Sequence, residues 1–162
     1  MPYKNTFIIV LAALLLGASQ NAVAQTPVPA KSVPIQKFKP PTVKTNLGRM
    51  NGINANCTAT EAKQLVTLPL KVVDDKKNEY VISSYQLAYT RVGITEDEMT
   101  GATSPTTDMV GQRFVVTPLP EIWQNNMIES LKKGEQLYFF DIVCYDKQKR
   151  LFFAPPLKIK II

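Results

Sequence analysis

The chain predicts a mostly-β domain, sandwich-like with Ig-like antiparallel sheets and one packed α-helix at about 120–133. Three observations carry that expectation. Period-2 alternation of apolar and polar residues recurs in the last hundred residues, most clearly in Leu157–Ile161. A single stretch, Pro120–Lys133, has helical periodicity. The ~115 residues that remain after an N-terminal leader and a proline-rich tract suit one domain with one core.

The leader comes first. Lys4 gives a positive start, and the thirteen residues from Thr6 to Ala18 are almost purely apolar. Ala22-Val23-Ala24 places small residues where a signal peptidase cuts, so cleavage is expected after Ala24 and the mature chain is expected in the periplasm or secreted. The rival, an uncleaved anchor, would need roughly 20 apolar residues. No membrane span is expected after cleavage.

Residues 25–50 form a basic linker with five prolines, five Lys/Arg and no acid. Proline fixes φ and removes donors, so an extended, semi-stiff spacer is expected, open to anionic surfaces or simply solvated. Residues 51–162 carry thirteen Lys/Arg against thirteen Asp/Glu, so the net +6 of the 162-residue chain belongs to the leader and linker. A neutral exported domain argues against nucleic acid as partner, although Lys147–Phe153 interleaves bases with aromatics.

Within the single β-rich domain at 51–162, Gln64–Val73 reads as a strand in which Pro69 marks an edge or a bulge. Tyr80–Val92 sets Tyr85, Leu87 and Tyr89 on one face against Ser84, Gln86 and Thr90. Gly93–Gly111 reads as a long polar loop of the sort that is functional or disordered. Its acids Glu96, Asp97 and Glu98 lack the spacing of a calcium loop. Gln112–Thr117 is a short strand candidate. In Pro120–Lys133, Trp123, Met127 and Leu131 fall on one stripe, with Pro120 at the start and Lys132-Lys133-Gly134 as a C-terminal stop. Gln136–Tyr145 is apolar on both faces and reads as a central strand covered on both sides. Asp146–Arg150 is a hairpin loop, and Leu157–Ile161 a half-exposed last strand.

The residue inventory restricts chemistry. There is no His anywhere, so a Ser-His or Cys-His pair cannot be built, and there is no phosphate-binding glycine loop. A glycosidase pair would have to come from Asp74, Asp75, Glu79, Asp141 and Asp146, of which only Asp141 lies mid-strand among aromatics. No catalytic residue, cofactor or metal site is assigned, and a non-enzyme is expected. Cys57 and Cys144 are the only cysteines. In an oxidising compartment they are assigned as a disulfide closing more than eighty residues, with two buried free thiols as the rival. Such a loop closure would stabilise by roughly 4 to 4.5 kcal/mol.

Ser84–Arg91, the helix ending Ser130-Leu131-Lys132-Lys133-Gly134, the aromatic strand Gln136–Ile142, a polar turn and the closing Pro156–Ile161 follow one another in an order that resembles the C-terminal domain of the gliding-motility GldM and PorM-type family of type IX secretion. The likeness spans about eighty residues. It implies a periplasmic β-sandwich-like domain that meets envelope proteins of a secretion or gliding machinery and has no catalytic residues. The family's long shaft and membrane helix have no counterpart here, Lys147-Gln148-Lys149 replaces its hairpin glycine, and 93–111 is extra, so a free-standing copy is implied. The expected function is an exported protein-interaction module. The alternative is a secreted carbohydrate-binding or inhibitor-like domain using the loop 93–111.

Overall fold

The computed structural model describes residues 38–162. The leader at 1–24 and the linker as far as residue 37 lie outside the described residues. Nine strands and two helices follow in the order β1 (Val43–Leu47), β2 (Met50–Asn51), β3 (Ala55–Cys57), α1 (Ala59–Leu65), β4 (Leu70–Asp74), β5 (Glu79–Glu96), β6 (Thr103–Phe114), α2 (Glu121–Ser130), β7 (Gln136–Tyr145), β8 (Leu151–Ala154) and β9 (Leu157–Ile161). The domain is mostly β, as its alternating segments predict.

Hydrogen bonding runs unbroken through β2-β1-β4-β5-β7-β9-β3, with β6 added to β5 and β8 to β7. One pair, β3 with β9, is parallel, so the sheet is mixed where Ig-like antiparallel sheets were expected. The sheet coils until its ends meet: the Lys158 amide donates to the Gly52 carbonyl at 2.9 Å, and Thr45 Oγ1 donates to the Pro155 carbonyl at 2.6 Å. The core inside the coil includes Leu47, Val72, Tyr85, Leu87, Met127, Phe139, Ile142 and Ile159.

Four local structures outside the 93–111 segment differ from the sequence reading. Val43–Leu47, placed in the 25–50 linker above, is a strand whose Val43, Thr45 and Leu47 face the core. Alternation there outweighs the neighbouring prolines. Helix α1 occupies part of the segment read as a strand from Gln64. Thr58 caps it by accepting from the Glu61 amide at 3.3 Å, a Ser/Thr-x-x-Glu arrangement, and Pro69 then stands just ahead of β4 instead of inside it. Helix α2 stops at Ser130, short of Lys133, because Leu131 leaves helical geometry with ψ 123° and turns into the core.

The fourth is β7. It is not covered on both sides; it changes faces midway. Leu137 and Phe139 are buried, then Ile142 and Cys144, with an exposed Asp141 at φ +47° between the two sets. Asp tolerates that left-handed conformation better than most residues. The extra residue is a bulge, and the pairing of β5 with β7 shifts register at the same level, around Ser84. β8 and β9 both pair with β7, one on each side of the bulge, and Pro155-Pro156 separates them.

Candidate functional site

The segment 93–111 is not a loop. β5 and β6 pair continuously from Tyr85↔Phe114 to Glu96↔Thr103, whereas β7 leaves β5 at Thr90↔Gln136. Past that point the two strands run on as a two-stranded arm without a third partner among the described residues. The turn at its tip is built by Asp97. Its Oδ1 accepts from the Thr100 amide at 2.8 Å, from Thr100 Oγ1 at 2.9 Å and from the Met99 amide at 3.0 Å, and Gly101 takes φ +67°. The Thr100 bonds, then that of Met99, hold the Asp97 carboxyl below its ordinary range. The acidic trio is therefore a turn and two flanking charges. Ile94, Met99 and Met109 stand 76, 97 and 68 % exposed on this arm.

A cleft of about 490 Å³ opens at the foot of the arm, where Tyr89, Arg91 and Val110 of the hairpin face Trp123, Asn126 and Glu129 of α2. Trp123 is half-buried, its ring edge-on to Phe114 at 5.2 Å, and Met127 seals the floor. The helical stripe read from sequence thus serves two purposes, core at Met127 and Leu131, cleft wall at Trp123. Arg91 reaches Asp108 across the hairpin at 2.9 Å, its guanidinium 5.9 Å from the Tyr89 ring centre, and its buried Nε has no hydrogen-bond partner.

Arm and helix are joined by a buried carboxylate. Glu135 is 1 % exposed; its oxygens accept from the Tyr89 hydroxyl at 2.6 Å, the Lys132 amide at 3.1 Å and the Val92 amide at 3.4 Å. Tyr89 also meets Ser130 Oγ at 3.2 Å. Burial, with the Glu135 bond adding to it, pushes the Tyr89 phenol up to about 12. Sequence reading overlooked Glu135, since an acid after Lys132-Lys133-Gly134 looks solvated.

Each of the five candidate carboxylates is engaged by a partner of its own, while Asp74 and Asp146 both act on the Tyr80 phenol, which burial first and then the two acids push up. Asp74 closes the β4–β5 turn, held below its usual range first by the Asn78 side chain and then by backbone amides. Asp75 pairs with Lys44 at 3.0 Å and Glu79 with Lys71 at 3.2 Å. Burial raises Asp146, but bonds from Arg150 and Gln148 outweigh it and leave the carboxyl low. Asp141 accepts from Gln86 at 2.7 Å on the outer face. Among the described residues no three His, Cys, Asp or Glu side chains group as a metal site would need, and no helix is long and apolar enough to cross a membrane.

The assigned Cys57–Cys144 disulfide is not formed; both are buried free thiols. Cys57 lies opposite Ile161, whose amide bonds the Glu135 carbonyl at the start of β7, whereas Cys144 sits at the far end of that strand. At ~3.3 Å per residue the separation is on the order of 25 Å, well beyond the ~7 Å between Cα atoms that a bridge spans. Burial raises both thiols, that of Cys144 to about 12, so neither is a thiolate nucleophile near neutral pH. In Lys147–Phe153, Phe152 joins the core, Phe153 is exposed, and Arg150 lies over the Phe38 ring at 4.2 Å.

The arrangement offers recognition: a projecting ribbon with apolar tips and a cleft with an indole, a guanidinium and amide and carboxylate groups. No protein-family model matches the chain, and no curated protein does either.

Proposed function

We propose that the chain is an exported, non-enzymatic protein-interaction module of the bacterial periplasm or cell envelope, an accessory of a gliding or type IX secretion apparatus, and that it meets its partner with the β5–β6 arm and the cleft at its foot. The observation that carries this is the arm itself. A two-stranded ribbon is at best marginally stable in water, yet this one presents Ile94, Met99 and Met109 to solvent beyond the body of its own domain. A protein surface that covers those side chains accounts for both. Support for the envelope comes from the leader ending Ala22-Val23-Ala24 and from the GldM- and PorM-like order that runs through β5, α2, β7 and β9.

The test is a photo-crosslinking residue at Met99, with one at Gln148 as control, in cells expressing the full chain. A discrete envelope protein captured from Met99, absent from Gln148 and lost in Ile94→Ser/Met109→Ser, is the expected result. Capture of nothing at Met99, a mature chain that does not begin at Gln25, or turnover of a substrate overturns the reading. The Asp97-stiffened tip gives the inhibitor-like alternative its footing; protease inhibition that disappears with the arm removed would favour it.

A further inference from the structure

On the side of the sheet away from the core, five strands bring an ordered set of side chains together. Pairing registers define it. Asn56 of β3 lies opposite Lys160 of β9, which lies opposite Gln136 of β7. In the next row Lys158 faces Tyr138, Tyr138 faces Ala88, and Ala88 faces Gly111. Beyond that, Phe140 faces Gln86 and Gln86 faces Arg113. Alternate residues of the same strands, such as Ile159, Leu137 and Leu87, point to the core, so the outward set is fixed by the pleat.

The chemistry of this face is specific in kind. Lys158, Lys160 and Arg113 are exposed, and none of them is in an ion pair among the described residues. The one acid in reach, Asp141, is engaged by Gln86. Tyr138 and Phe140 stack with ring centres 5.0 Å apart and planes 11° apart, half-buried between the cations. A groove of about 330 Å³ runs at the edge of the face, where Asn54, Asn56 and Gln136 flank the two lysines.

We propose that this face binds an acidic polysaccharide, a chain of sugars carrying carboxylates. Unpaired lysines two residues apart on one strand complement repeated negative charge. Side-chain amides, each with donors and an acceptor, match vicinal hydroxyls, for which a bare phosphate backbone has no counterpart. Aromatic rings beside small residues suit the C–H faces of pyranose rings, and Ala88 and Gly111, in register with Tyr138, put no bulky side chain beside it. The face is distinct from the arm tip and the cleft, and its occupancy does not depend on the protein-partner reading.

Affinity electrophoresis of the full chain through polygalacturonate, its methyl ester and single-stranded oligo-dT tests it. Retardation by polygalacturonate is expected, with at least about tenfold weaker binding to the uncharged ester. Lys158→Gln/Lys160→Gln, both on exposed side chains, should weaken binding about tenfold, while Lys147→Gln/Lys149→Gln, an equal loss of charge on the β7–β8 turn, should change it less than about twofold. Tyr138→Ala should reduce binding without altering the salt dependence, because a ring contributes no charge. No retardation, equal loss in both lysine pairs, equal binding of the ester, or oligo-dT binding as tight as polygalacturonate each overturns the proposal.

Discussion

Glu135 shows how one residue can bind two elements that the sequence leaves unconnected. Its carboxylate gathers a hydroxyl from β5, an amide from β5 and the Lys132 amide just past the end of α2. Removing it takes the acceptor from two part-buried amides and leaves the buried Tyr89 hydroxyl with Ser130 alone, at roughly 1–3 kcal/mol for each poorly satisfied group. Glu135→Ala should therefore cost about 3 kcal/mol in urea unfolding. Glu135→Gln should cost about 1 kcal/mol, because its carbonyl oxygen can replace the carboxylate oxygen that serves Tyr89 and Lys132. Equal costs would show that packing alone holds the arm. Asp141 makes the complementary case. At φ +47° a β-carbon is strained, so Asp141→Ala should lose about 1–2 kcal/mol and Asp141→Asn little, by the same measurement.

Most elements with a clear apolar face or run were legible in the sequence, as in β7 and β9. β1 alternates just as cleanly but was hidden by the prolines ahead of it. Leu157, Ile159 and Ile161 alternate with Lys158 and Lys160, and β9 is built on that pattern. α2 was legible because Trp123 and Met127 repeat at helical spacing, although its end was not, since Leu131 ends the helix by a tertiary contact. β6 was misread because both its faces are wet through most of its length, and no period survives without a dry side. α1 has only seven residues, too few for a stripe, and its one signal was Thr58 three residues before Glu61. The cleft was out of reach altogether: it joins residues near 90 and 110 to residues near 126, a juxtaposition only the fold makes. The arm yields its own prediction. Since its outer half touches little of the body, joining Val92 to Thr107 through Asn-Gly, a favoured two-residue hairpin turn, should change unfolding free energy by less than about 1 kcal/mol. The same protein should lose the Met99-region partner. A large loss of stability in this variant would mean the arm is structural.

At the scale of the whole molecule, the coil depends on a line of bends that crosses three neighbouring strands. β5 shifts its inward set near Ser84, β7 at Asp141, and the β8–β9 line at Pro155-Pro156. Each strand above the line presents the opposite parity to the core from the same strand below it, so the sheet turns a corner and buries residues from both halves around Tyr85, Phe139 and Ile142. That closed core also decides how the protein responds to base. The groups it raises furthest are the Cys144 thiol and the Tyr85 and Tyr89 phenols, all to about 12 through burial first, and burial raises the Cys57 thiol as well. Each binds its proton more tightly folded than unfolded, where ordinary values are roughly 8.5 for Cys and 10 for Tyr. Their contribution is complete below the unfolded values and is lost as pH climbs toward about 12. Stability should thus be flat through neutral pH, begin to fall near pH 9 as unfolded Cys57 and Cys144 ionise, and fall faster above pH 10 when the tyrosines join. Cys57→Ala/Cys144→Ala should start from a lower stability and delay the decline to about pH 10, separating the thiols from the phenols. Thiol titration checks the same burial directly: neither Cys57 nor Cys144 should react with a disulfide reagent in the folded protein, and both should react in denaturant without prior reduction. Thiols that appear only after reduction would mean that the two cysteines pair in a different fold from this one.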